Sequence, residues 1–440
     1  MIPRDLLGDA FSCECGRRHR IPIERIDVGE HALEAMPRWM TERGVHSVVL
    51  IDDAVTGSVL GDTVRRRLHD AGLKTRDLRF PATDHLRADA ASLAQADQVI
   101  QEWRPDIVLA VGSGTLTDIA RYSSFVAGLP FAVMATAPSV DGYASTVAAL
   151  QLDGVKVTKP AQAPQAIFAM PSVLAAAPWP LIQSGFGDLV GKTTALMDWK
   201  LATRLYGEDW CGAAYRLVSD ALHRVVNAAS LLKARDPQAV RDLFEALIGS
   251  GFAMAMVGNS RPASGSEHHL SHYWDYLTYV GRRPYVSHGL QVGYATQFMM
   301  RVYETLEGVE RIEPPVLPDL GPAWEADVRG RWGAGAADIV REQQSKLEWL
   351  ANHGDPSRWQ GMDGRALAAA LEPEFGRIEA TRQALAIMGI PNAVGEFSVT
   401  SAMLAESLTF ANEVRARYTI LDWLKGQGRH QGAVRQVLAG

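Results

Sequence analysis

Three cysteines in 440 residues are too few for a disulfide framework, so this chain is expected to close on its hydrophobic core and to work in a reducing cytoplasm. A basic arm or stripe is missing as well. Lys and Arg number 44 against 50 Asp and Glu, a formal net charge of −6, which argues against nucleic acid as a partner. No run approaches the ~20 consecutive apolar residues that a bilayer span needs. The opening stretch MIPRDLLGDAFSCECGRRHR has no apolar core long enough for a signal peptide, and no internal repeat is visible. What is left is a soluble globular chain, 47% hydrophobic and 21% charged. It is too long for one small core, so two domains are expected.

The first part of the chain alternates strand and helix patterns. HSVVLIDDAV (46–55), KTRDLRF (74–80), DIVLAVGSG (106–114) and LPFAVMATAP (129–138) read as strands. Helical patterns lie at 31–44, 57–72, 91–103 and 115–128. VAALQLDGVKVTKP (147–160) reads as a hairpin and PQAIFAM (164–170) as a closing strand. Such alternation implies an α/β domain with a mostly parallel, Rossmann-like sheet. Beyond about residue 175 the strand signals nearly vanish and long helical patterns take over, at 184–207, 215–234, 239–258 and 401–426. The expected division is an α/β domain over 1–175 and an all-α domain over 176–440. The stretch 306–326 is Pro-rich and reads as a loop, and 426–440 as a weakly ordered tail.

DIVLAVGSGTLTDIARYSS combines a strand, a Gly-rich turn and a helix. Gly112 and Gly114 leave room for a pyrophosphate, and the helix start would face it with N–H groups and the positive end of its dipole. Thr115 is placed to cap that helix or bond a phosphate oxygen, with Asp118 one turn on. The motif is not G-x-G-x-x-G, so a tight βα turn without ligand stands beside the phosphate reading. Asp52 and Asp53 end an earlier strand, where an acid binds ribose hydroxyls or simply meets solvent. TAPSVDGYAS puts Thr136, Ser139 and Ser145 at the carboxyl end of the sheet, with Asp141 as a substrate contact. Ordinary turn chemistry would choose the same residue types.

SGSEHHLSH holds three of the 12 histidines. On a helix His268 and His272 share a face and His269 points elsewhere. The pattern is not H-E-x-x-H, so a metalloprotease is disfavoured. Asp188 of GFGDLVGK has Lys192 one turn later, and His288 precedes a glycine at a helix start. One carboxylate and two imidazoles would form an O/N/N site for zinc, nickel or iron. Each alone reads equally as a cap or a surface histidine. CECGRRH offers Cys13, Cys15 and His19 at a spacing tighter than the usual zinc knuckle, with no fourth ligand nearby. On a strand the two cysteines would share one face and simply pack.

The order of these pieces (GSGTLTD, TAPSVDGYAS, GFGDLVGK, SGSEHHLSH, SHGLQVG) resembles the iron-dependent alcohol dehydrogenase and dehydroquinate synthase superfamily. Within it the chain is similar to the bacterial sn-glycerol-1-phosphate dehydrogenases, from CECGRRH to RARYTILDWL. The resemblance implies a dehydroquinate synthase-like fold and a metal held by Asp188, His268 and His288, with His272 facing the substrate. It implies a pyrophosphate loop at Gly112, Ser113, Gly114, Thr115 and Asp118. Thr136, Ser139 and Ser145 then meet the nicotinamide half, and Asp141 the substrate. The large side chains of HYWD and GRRPYV and the long segment 345–375 depart from the pattern.

The implied reaction is reversible reduction of dihydroxyacetone phosphate to sn-glycerol 1-phosphate with NAD(H) or NADP(H) and one divalent metal, zinc before nickel or iron. His272 would relay the proton and Lys192 contribute to the phosphate pocket. Asp52 and Asp53 would repel a 2′-phosphate and favour NADH. The substrate is then a small phosphorylated ketone, and a homodimer is implied. Rival readings are a dehydrogenase of another polyol, a dehydroquinate synthase-like cyclase, a metal-dependent hydrolase, or a nucleotide-binding protein without catalysis.

Overall fold

The computed structural model describes residues 6–82, 86–152 and 155–439. A six-stranded sheet is built from β3 (Arg25–Val28), β4 (Ser47–Asp53), β5 (Lys74–Phe80), β6 (Ile107–Gly112), β7 (Phe131–Ala135) and β10 (Ala166–Ala169). Their order is β3-β10-β7-β6-β4-β5, and every neighbouring pair is parallel. A parallel sheet needs cover on both faces, and the period of two supplies it. Val48, Leu50, Leu109, Met134 and Phe168 face a core shared with the helices Ala32–Glu42 and Asp62–Asp70. The alternate residues Val49, Ile51, Val108, Ala110, Val133 and Ile167 face the opposite core, which runs unbroken into the helical half.

Short elements differ from expectation. A hairpin of β1 (Ala10–Ser12) and β2 (Arg18–Arg20) and the edge strand β3 are three or four residues long, too short for a period to show. Cys13 and Cys15 therefore sit in the turn after β1, not on a strand. β8 (Val147–Leu152) and β9 (Val155–Pro160) pair antiparallel as the expected hairpin, its turn at 153–154 lying outside the described residues, as do residues 1–5 of the opening stretch.

The helical pattern 401–426 is broken into Ser401–Phe410 and Ile420–Gly426. Between them Arg417 donates to Ser264 O and Oγ at 2.6 and 2.9 Å and to Ser260 Oγ at 2.6 Å. These bonds hold the segment between the two helices against Ser260 and Ser264. The Pro-rich loop ends earlier than expected, because Pro322 opens a helix that runs to Trp332. The expected tail is ordered: His430–Ala439 is a helix with Val437 fully buried. Among the described residues no helix is long and apolar enough to cross a membrane.

Candidate active site

The glycine turn leaves β6 at Gly112 and enters the helix Gly114–Val126. Ser113, not Thr115, is the cap residue, and its side chain makes no capping bond. The helix start is thus left to its own N–H groups, the arrangement an anion would satisfy. Thr136 continues β7 beside it, its N–H donating to Gly112 O at 3.1 Å. Asp118 is paired with Arg121, a side chain 1% exposed. Arg121 also donates to Gly142 O at 2.5 Å, Tyr143 O at 3.1 Å and Val147 O at 3.3 Å. It ties the helix behind the glycine turn to the loop that carries Asp141. Nothing in the sequence marked it beyond its place three residues after Asp118. Ser139 is buried, and Ser145 Oγ closes a local turn with Val147 at 3.0 Å.

Of the two strand-end acids, Asp52 is engaged elsewhere than expected. Asp52 is fully buried, with Oδ1 and Oδ2 accepting from Arg79 at 2.8 and 2.7 Å and Arg65 at 3.8 Å. Asp53 Oδ1 accepts from the amides of Val55 and Thr56 at 2.9 and 2.7 Å as a helix cap. Asp52 is thus withdrawn from a ribose, whereas Asp53 is only half-buried and caps through Oδ1 alone. Arg79 and Arg65 offset the charge of Asp52, which leaves Asp53 as the acid that would act against a 2′-phosphate.

In the helical half two helices cross backbone to backbone. A Cβ on Gly187 would collide with Gly289 O, one on Gly289 with Ser184 O, and one on Gly293 would lie 2.8 Å from Gly187 Cα. This approach brings Asp188, on Trp179–Val190, up to His288, the first residue of His288–Glu304. His268 arrives on Ser266–Tyr279. One ligand atom from each of Asp188, His268 and His288 lies within 4.8 Å of the others.

The donor chemistry fits a divalent cation. His268 Nδ1 lies 2.6 Å from Glu267 Oε1, which assigns the proton to Nδ1 and leaves the Nε2 lone pair 3.7 Å from Asp188 Oδ1. Glu267, fully buried, also accepts from Thr194 Oγ1 at 2.6 Å and Gly265 N at 2.8 Å. Asp188 Oδ2 accepts from Asp141 N at 2.9 Å. Burial would raise the Asp188 carboxyl, but the Lys192 ammonium beside it outweighs this and holds it well below the usual range. Asp141 is pushed up, by burial first and then by the charge of Asp188.

Lys192 does not reach toward a phosphate. Its ammonium donates to Asp188 Oδ1 at 2.7 Å, Asp188 O at 2.8 Å and Asp141 Oδ2 at 2.8 Å. Three acceptors use all three of its protons. His272, part-exposed, stacks on His288 with ring centroids 5.7 Å apart and has Nδ1 3.5 Å from Asp275 Oδ2. Asp275 Oδ1 is fixed in turn by Gln291 Nε2 at 2.7 Å. Glu267 and Asp275 were missed because a partner carboxylate carries no spacing signal of its own.

A parallel sheet with a bare helix start, set against helices that converge one carboxylate and two imidazoles, defines a class, and comparison agrees with it. Residues 27–178 match the family model described as iron-containing alcohol dehydrogenase. The iron-containing alcohol dehydrogenase of Thermococcus thioreducens shares the fold with a TM-score of 0.62, at 15% identity over 93% of this chain and 98% of that one. Among sequence relatives, the glycerol-1-phosphate dehydrogenase of Halalkalibacterium halodurans is 39% identical over 69% of this chain and 76% of its own length. That of Bacillus licheniformis is 30% identical over 95% and 92%. The chain belongs to the glycerol-1-phosphate dehydrogenase family.

Proposed function

We propose that this enzyme reversibly reduces dihydroxyacetone phosphate to sn-glycerol 1-phosphate with NADH or NADPH. The carrying observation is the convergence of Asp188, His268 and His288 beside His272 in a chain of this family. Those three side chains would hold one divalent metal, zinc before nickel or iron, as their O/N/N donors suit. Such a metal supplies Lewis acidity to a ketone oxygen, and the nicotinamide supplies hydride.

The protein's own part is positioning and proton transfer. The ammonium of Lys192 fixes the Asp141 and Asp188 carboxylates relative to each other, and Asp141 orients the substrate hydroxyl. His272, backed by Asp275, moves the proton. Gly112, Ser113, Gly114 and Thr115 receive the cofactor pyrophosphate, with Thr136, Ser139 and Ser145 toward the nicotinamide half. Asp118 acts through Arg121.

The proposal includes a functional division near residue 175, where β10 ends at Ala169 and Pro171–Ala176 begins the helices. It includes a homodimer, testable by sedimentation, and a reducing cytoplasm, in keeping with three free thiols. The decisive experiment follows NADH absorbance with dihydroxyacetone phosphate before and after chelation. Oxidation that stops on chelation and returns with metal is the expected result. Metal binding without NADH loss would leave the ligands and redirect the reaction to another ketone or a cyclase.

A further inference from the structure

Cys13, Cys15 and His19 surround the hairpin turn, and 198 positions separate Cys13 from Cys211. Yet Cys211 closes on them, and one ligand atom of each of the four lies within 4.8 Å of the others. The missing fourth ligand was invisible in sequence because it comes from the start of a helix in the other half of the molecule. We propose that these residues form a Cys3His zinc site, separate from the catalytic triad and structural in role.

The distances carry the argument. A tetrahedral zinc with sulfur at about 2.3 Å and nitrogen at about 2.0 Å sets S···S edges of about 3.8 Å and S···N edges of about 3.5 Å. Cys13 Sγ and Cys211 Sγ are 3.8 Å apart, and Cys211 Sγ and His19 Nε2 are 3.5 Å apart. Cys15 Sγ and His19 Nε2, at 3.1 Å, are somewhat closer. A disulfide would need sulfurs about 2.05 Å apart, and all three cysteines are free.

The backbone around the sulfurs holds them together. Gly16 takes φ +81° to turn the chain between Cys15 and Arg17, with Gly16 N bonded to Cys13 O and Cys13 N to Arg17 O, each at 3.0 Å. Cys211 is the cap of Gly212–Asn227, and its sulfur accepts from Ala214 N at 3.5 Å. The positive end of that helix thus faces a sulfur that zinc would hold as thiolate. His19 is 5% exposed, and its ring meets the edge of Phe11 at 5.8 Å.

Four protein ligands leave no open position, so the site is structural rather than catalytic. Three thiolates and an imidazole select zinc over a hard cation. Its work is to fasten a hairpin with three-residue strands, too small to be stable alone, onto the helical half. The exposed ion pairs Arg17–Asp209 and Glu14–Arg216 flank the same junction.

The test uses full-length protein purified under reducing conditions, stripped of metal and reloaded with cobalt. A sulfur-to-cobalt charge-transfer band with strong visible d–d bands is expected. The catalytic triad has no sulfur and cannot produce that band. It should persist in His288→Ala and vanish in Cys15→Ser, which should lose one metal equivalent and melt at lower temperature while keeping turnover at room temperature. Wild-type protein without a sulfur band, or with a Cys13–Cys211 disulfide in its mass spectrum, overturns the proposal. Because the wild-type spectrum decides, poor folding of Cys15→Ser would not rescue it.

Discussion

Two histidines one helical turn apart are asked to do different work. His268 offers Nε2 toward Asp188, while His272 stacks on His288 and leans on Asp275. Asp188→Asn should therefore lose metal and turnover together. His272→Ala should keep its metal and lose about 10²–10⁴ in kcat, the range for a positioned general acid–base group; metal analysis beside steady-state rates separates the two. Glu267 touches neither substrate nor cofactor in this scheme. It holds the His268 proton on Nδ1, so Glu267→Gln should weaken metal binding about 10–100-fold, read by chelator competition, with kcat largely restored at saturating metal. At this scale the sequence marks residue types at diagnostic spacing, as in His268 and His272. It does not mark Glu267, Asp275, Arg121 or Cys211, whose importance comes from what the fold sets beside them.

The helices Trp179–Val190 and His288–Glu304 can present Asp188 and His288 together only because glycine lines their crossing. Gly187→Ala should push them apart, costing about 1–3 kcal/mol as overpacking does and weakening metal binding. Gly432→Ala, also in a helix but with open space around its Cβ, should be neutral or stabilising by up to about 1 kcal/mol. Urea unfolding of both variants, with metal titration, checks the contrast. Long elements announce themselves by period: β4, β6 and β7 are almost wholly buried runs. The break in 401–426 does not, because the contacts made there, Arg417 to Ser260 and Ser264, come from far along the chain.

Across the whole molecule one hydrophobic core runs from a face of the sheet into the helices, and ionisable groups caught inside it couple folding to pH. His269 is fully buried, and among the described residues neither ring nitrogen has a hydrogen-bond partner. Burial first, and then the nearby charges of Arg417 and Lys346, hold its pKa well below the ordinary 6.5. Above pH 6.5 the imidazole is neutral folded or unfolded, so stability does not depend on it. As pH falls below that value the unfolded chain takes up a proton that the folded chain refuses. Stability should then fall progressively as the pH drops, from this group alone. Urea midpoints of wild type and His269→Gln, compared from about pH 7.5 down to pH 5, isolate it. The difference between the two should stay constant above the histidine range and then shift in favour of the variant. A difference that does not change with pH would mean that His269 takes up its proton as readily in the fold as in the unfolded chain, and a shift in favour of wild type that it binds the proton more tightly in the fold.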